Sequence, residues 1–196
     1  GKTQLVMRIL RAGCFHPLPK TVLFYYDQWQ DEYLQLRQDL QRYGIQMKSL
    51  QGGSSLTMTD LDKSDGQTLV VIDDASEETA ASMDIAKLTT NGRHKNVSLW
   101  LIWHSLFSKH PASRVIAQNS AYMFFLPSPR MRSQIHTLDS QLRYKGALVS
   151  AYTQAMEEPN RDHRYLLLDM SPNTPEGFRM RSHITQSEVQ HLYQKV

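Results

Sequence analysis

The sequence predicts an α/β protein built on a mainly parallel sheet flanked by helices. Two stretches carry that expectation. Thr21-Val22-Leu23-Phe24-Tyr25-Tyr26 and Thr68-Leu69-Val70-Val71-Ile72 are apolar or β-branched almost throughout, with no polar alternation. Such runs read as strands covered on both faces, which is the condition of strands in parallel sheets. The third observation is the order of the pieces, since strand-like runs alternate with helical ones along the chain. The second run also ends in two adjacent acids, Asp73 and Asp74. The carboxyl edge of a parallel sheet is where open α/β folds bind ligands.

Taken in order, Leu5, Val6, Ile9 and Leu10 form a helical stripe after Gly1-Lys2-Thr3, and Gly13 supplies a stop. Pro17 and Pro19 mark a loop before the first strand. Asp27 to Tyr43 reads as helical, with Tyr33, Leu36, Leu40 and Tyr43 on one face and Gly44 at the end. Ile45 to Leu50 is a short strand. Thr57 to Ser64 reads as loop or a single helical turn. Glu77 to Leu88 fits a helix, 89–96 a polar and basic connection, and Val97 to Trp103 a strand ending at His104. Tyr122 to Leu126 is a strand closed by Pro127 and Pro129. Arg130 to Leu142 and Ala147 to Met156 read as helices, and Tyr165 to Met170 as a strand. Phe178 to Ile184 is a shorter strand with Arg179 and Arg181 on one face by the two-residue period. Ser187 and Gln190 suggest a capping box for a last short helix. The expected organisation is one domain over residues 1–184 and a short tail or helix over 185–196.

The 196 residues are enough for a sizeable core. A hydrophobic fraction of 40% and a charged fraction of 21% are those of a globular chain. The net charge of +3 permits an anionic partner without demanding one. A single cysteine, Cys14, excludes a disulfide framework and a cysteine-based zinc site. No run of about 18 apolar residues and no secretory signal is found, so the expected setting is intracellular, with no membrane partner. The start at Gly1, without a methionine, reads as that of a fragment.

The chemistry rests on few residues. Gly1-Lys2-Thr3 matches the end of the phosphate-loop pattern, in which backbone N–H groups cradle phosphate, the lysine reaches the terminal phosphates and the hydroxyl serves Mg²⁺. Only these last three positions of the pattern are present, and a plain helix start with a solvated lysine fits them as well. Beside a phosphate, Asp73 would hold Mg²⁺, and Asp74 would orient or deprotonate the attacking water. Two solvated acids at a strand end are the plainer alternative. His104 ends the next strand and is either a γ-phosphate or water contact or a rim histidine bonded to backbone. Arg93 is either an arginine finger for a neighbouring subunit or a solvated loop residue, and Arg114 has the same two readings. Arg130, Arg132, Arg143, Lys145, Arg179 and Arg181 are scattered basic points, for DNA phosphates or for solvent. Trp29, Trp100 and Trp103 read as packing residues, and no Cys/His spacing suggests a transition metal.

The segment Phe24-Tyr25-Tyr26-Asp27-Gln28-Trp29-Gln30 resembles the tyrosine-tryptophan segment of packaging ATPases from Maverick/Polinton (adintovirus-like) elements. The likeness runs on through Thr68–Asp74, Asn91–Phe107, Ser113–Leu138 and Tyr165–Ile184 in the same order. It implies an FtsK-HerA-type P-loop NTPase (RecA/ASCE-like), related to poxvirus packaging ATPases. Such a protein hydrolyses ATP with Mg²⁺ and forms rings, usually hexamers. It drives double-stranded DNA into a preformed capsid, so capsid or portal vertex proteins in the host cell are implied partners. By position, Gly1, Lys2 and Thr3 match the phosphate loop, Thr3 and Asp73 the Mg²⁺ ligands, and Asp74 the catalytic acid. Asp74 stands where the broader family usually has glutamate, His104 where it has glutamine, and Trp103 where it has threonine. A histidine, unlike a glutamine, changes charge near neutral pH. Arg93 lies in the family's Gly-Arg-His motif. In this fold the strand feeding the phosphate loop would precede Gly1, which leaves a neighbouring strand edge either unpaired or filled by something else. Two other functions fit the residues: a degenerate, non-catalytic remnant that oligomerises or binds nucleic acid, and a conjugation-like or helicase-type DNA motor.

Overall fold

The computed structural model describes residues 1–52, 56, 61, 67–158, 164–185 and 188–194. These fall into two compact units, one of Val6–Asn119 and one of Ser120–Val196 together with Gly1–Leu5.

The first unit is the α/β sheet. Its strands β1 (Thr21–Tyr26), β2 (Gln46–Gln51), β3 (Thr68–Ile72) and β4 (Val97–Leu101) lie in the order β2-β1-β3-β4. Every pairing is parallel, with Thr21 opposite both Gln46 and Thr68, and Thr68 opposite Val97. The helices are α1 (Lys2–Arg11), α2 (Glu32–Arg42), α3 (Glu77–Ala81), α4 (Met83–Asn91) and α5 (Pro111–Asn119).

The two-residue period of the strands explains why β1 and β3 are apolar at successive positions. Val22 and Phe24 of β1, with Leu69 and Val71 of β3, face one layer. There they meet Val6, Met7 and Leu10 of α1 and Tyr33, Leu36 and Leu40 of α2. Leu23, Tyr25, Val70 and Ile72 face the other layer, against Ile85, Ala86 and Leu88 of α4 and Ala112 and Ile116 of α5. All five residues of β3 are buried. The helical segment expected over Glu77–Leu88 is two helices, because Ser82 leaves the helical conformation and caps α4 through the Ile85 N–H. Helix α5 adds to that second layer an element that the sequence reading leaves unassigned, and Arg114 lies on it, exposed. The row of strands ends on β4, with no further strand beyond it among the described residues. The expected loop at Thr57–Ser64 lies outside the described residues, apart from buried Leu61.

The second unit departs from the expectation of a mainly parallel sheet. Strands β5 (Tyr122–Phe125), β6 (Leu166–Asp169), β7 (Met180–Ser182) and β8 (His191–Tyr193) form a separate sheet in sequence order, antiparallel throughout. Its helices are α6 (Pro129–Leu142) and α7 (Ala147–Glu157). The link between β6 and β7, residues 170–179, is shorter than the dozen or so that a parallel crossover needs. Among the described residues the last element is β8 and not a helix, and it pairs with β7. Ser187 of the expected capping box lies outside the described residues.

Asp139 holds α6 to α7. Buried at the end of α6, it accepts the Gly146 N–H at 2.7 Å and the Leu148 N–H at 2.9 Å, satisfying donors at the start of α7. Among the described residues no helix is long and apolar enough to cross a membrane.

Candidate functional site

The carboxyl ends of β3 and β4 bring together three of the residues that the sequence singles out. The β1–β3 pairing continues one step past β3, where the Asp73 N–H donates to the Tyr25 carbonyl at 2.8 Å. Asp73 is therefore still in the sheet, and it is buried at 5% exposure. Its Oδ2 accepts the Tyr33 hydroxyl at 2.7 Å. A buried carboxylate without such a donor would be costly.

Asp74 turns the other way. Its φ of 55° is left-handed, a conformation that aspartate tolerates better than most residues. The backbone then rejoins the sheet, with the Ala75 N–H bonded to the Ile102 carbonyl at 2.9 Å. The Asp74 side chain is 62% exposed, and its Oδ1 pairs with Nε2 of His104, itself 66% exposed. The two adjacent acids thus have different environments. One is fixed inside the fold, and the other sits at the surface beside an imidazole.

Tyr33 is the residue that sequence reasoning places only as core. It comes from α2, and the Tyr-Tyr-Asp-Gln-Trp segment that ends β1 and follows it builds its surroundings. Its ring lies 4.8 Å from Phe24, 5.6 Å from Trp29 and 5.8 Å from Tyr26, centroid to centroid. Trp29, expected as packing, keeps 45% of its surface exposed while its edge contacts hold Tyr33. Burial pushes the Tyr33 phenol well above its ordinary value. The hydrogen bond to Asp73 and the negative charges of Asp73, Glu32 and Asp74 push it further. Tyr33 therefore keeps its proton and acts as a fixed donor to Asp73. The aromatic segment itself was the available signal.

The other named residues lie elsewhere. Arg93 is in a single 3₁₀ turn, Gly92–Lys95, that leads into the amino end of β4. The acids and His104 stand at the opposite, carboxyl end of the parallel strands. Lys2 and Thr3 open α1 and cluster with the second unit, after exposed Gly1.

The scattered basic residues divide. Arg130, Arg132, Arg143 and Lys145 are exposed. Arg179 and Arg181 converge on Asp169, which is 3% exposed. Arg181 Nη2 donates to Asp169 Oδ2 at 2.5 Å, and Arg179 Nη1 donates to the Asp169 carbonyl at 2.9 Å. Asp169 Oδ1 also accepts the Ser171 N–H, and Oδ2 the Thr174 hydroxyl. Both arginines brace the β6–β7 link, whereas the sequence offers them as basic points for DNA phosphates or for solvent.

No family model matches this chain, and neither does any curated protein or solved structure.

Proposed function

We propose that the chain is part of an ATP-hydrolysing, Mg²⁺-dependent DNA translocase that packages double-stranded DNA into capsids. It would work as a homo-oligomeric ring, a hexamer by resemblance, at a capsid or portal vertex. The observation that carries this is the division of labour between Asp73 and Asp74 at the end of β3. A P-loop NTPase uses one acid there for the metal and a second group for the water. Here one carboxylate is immobilised by Tyr33 and the next is presented at the surface with His104.

The surroundings of Asp73 suit a metal ligand. Mg²⁺ takes hard oxygen donors, and Tyr33 leaves Asp73 a fixed carboxylate with little freedom to reorient. The resemblance gives Asp73 and Thr3 as the Mg²⁺ ligands, directly or through water, and Lys2 as the residue for the terminal phosphates. Bound Mg²⁺ would neutralise charge on the phosphate oxygens. Asp74 would accept a proton from the attacking water, giving ADP and inorganic phosphate. His104 would hold the Asp74 carboxylate in place. Arg93 would serve a neighbouring subunit, which suits its place at the other end of β4 from the acids.

The test is ATP turnover and ATP binding by the complete coding product. Asp74→Asn should abolish turnover and leave binding intact. Unchanged turnover would remove Asp74 from its role, and absence of nucleotide binding in the unmutated protein would favour the non-catalytic remnant. Capsid-dependent DNA uptake, set against strand displacement, separates packaging from a conjugation-like or helicase-type motor.

A further inference from the structure

We propose that Glu158, His183 and His191 form a binding site for a divalent transition metal, zinc foremost. It is independent of the nucleotide chemistry above and lies wholly within the antiparallel unit. Three separate pieces of chain supply it: Glu158 just after α7, His183 just after β7, and His191 opening β8. One ligand atom from each lies within 4.8 Å of the others. His183 Nε2 is 2.7 Å from Glu158 Oε2, and His191 Nδ1 is 2.5 Å from Glu158 Oε1. The two imidazole rings stand 5.1 Å apart at 73°, so their nitrogens approach one carboxylate from different directions.

The donor set is two imidazole nitrogens and one carboxylate oxygen, which suits zinc and its neighbours better than Mg²⁺ or Ca²⁺. Around a tetrahedral zinc with bonds of about 2.0–2.1 Å, ligand atoms lie about 3.3 Å apart. The two N···O separations of 2.7 and 2.5 Å would lengthen to that around a bound ion. The hydrogen-bond inventory points the same way. His183 is buried at 4% exposure, and its other nitrogen, Nδ1, faces Glu188 Oε1 at 3.2 Å. A neutral imidazole has one N–H, yet this ring faces a carboxylate oxygen on each side. With Nδ1–H donated to Glu188, the Nε2 lone pair and the Glu158 oxygen face each other, and a cation between them satisfies both. Glu188 then orients the ligating ring, as carboxylates do around metal-bound histidines. The Thr185 hydroxyl fixes Glu188 at 2.5 Å. Tyr193 donates to Glu158 Oε1 at 3.1 Å and would adjust with it. A metal here ties the end of α7 to the β7–β8 pair.

The test is zinc titration of the full chain after chelator treatment, against a chromophoric zinc indicator. One zinc per chain is expected, with a raised thermal midpoint. His191→Ala, at a side chain 39% exposed, and the near-isosteric Glu158→Gln should each weaken binding by more than about a hundredfold. No stoichiometric zinc on the unmutated chain would overturn the site, as would His191→Ala binding zinc as tightly as the parent. Should the variants fail to fold, cobalt(II) added to the unmutated chain decides. Tetrahedral visible bands that zinc abolishes support the site, and their absence refutes it.

Discussion

The Tyr33 hydroxyl donates to Asp73 Oδ2 at 2.7 Å, joining α2 to the end of β3 across forty positions of sequence. Tyr33→Phe removes that donor and keeps the ring against Phe24 and Trp29. A buried carboxyl oxygen then loses a partner, at a cost of about 1–3 kcal/mol. Urea denaturation should show a lower midpoint with an unchanged slope. An unaltered midpoint would mean that Asp73 finds another donor without penalty.

The same pair predicts alkaline sensitivity. The phenol of Tyr33 is raised in the folded state by burial, by the bond to Asp73 and by nearby acids. Its unfolded counterpart titrates near the ordinary tyrosine value of about 10. A raised folded pKa gives stability that is complete below the unfolded value. That stability is lost as pH rises from there toward the folded one, because the unfolded chain releases its proton first. Burial raises Tyr144 and Tyr152 in the same direction. Denaturation midpoints should be level up to about pH 10 and fall above it. Tyr33→Phe should fall less steeply, and equal slopes would remove Tyr33 from the cause.

Asp74 and His104 should matter little to stability, in contrast to Asp73. Their side chains are 62% and 66% exposed, and exposed ion pairs contribute about 0–1 kcal/mol. Thermal midpoints of Asp74→Asn and His104→Gln should stay within a few degrees of the parent, so a loss of turnover in either cannot be assigned to unfolding. A large fall in midpoint would show that the pair is structural.

Asp169 is the reverse case. It is buried, and it accepts from Arg181, Ser171 and Thr174. Asp169→Ala leaves a half-buried guanidinium without its carboxylate, and breaking such a pair costs about 3–5 kcal/mol. Calorimetry should show a strongly lowered transition. A loss under about 1 kcal/mol would place the pair among those that solvent screens.

The strands β1 and β3 were legible because both faces of each are covered by helices, which leaves no polar position to interrupt the run. The place of Asp73, Asp74 and His104 was legible for the same reason, since parallel strands end together. Strand direction in the second sheet was less so, because apolar patterning is the same in either direction. The short 170–179 link was the signal, and the alternation of strands and helices pointed the other way. At the chain end, Ser187 and Gln190 carry a local helix signal, while residues 191–193 pair with β7, and the non-local pairing prevails. Tyr33 with Asp73, and Glu158 with His183 and His191, are long-range meetings for which no spacing rule exists. Arg179, just before β7, and Arg181 on it mislead by period alone, because both are bonded to Asp169.

The left-handed backbone at Asp74 acts as a filter on genetic drift. Asparagine and glycine bear that conformation as well as aspartate does or better, and each is a single base change from an aspartate codon. Valine and tyrosine are equally near in the code but strain the turn. The replacements that the turn accepts most easily are therefore those that delete the carboxylate. The turn itself gives no protection against loss of the carboxylate at position 74.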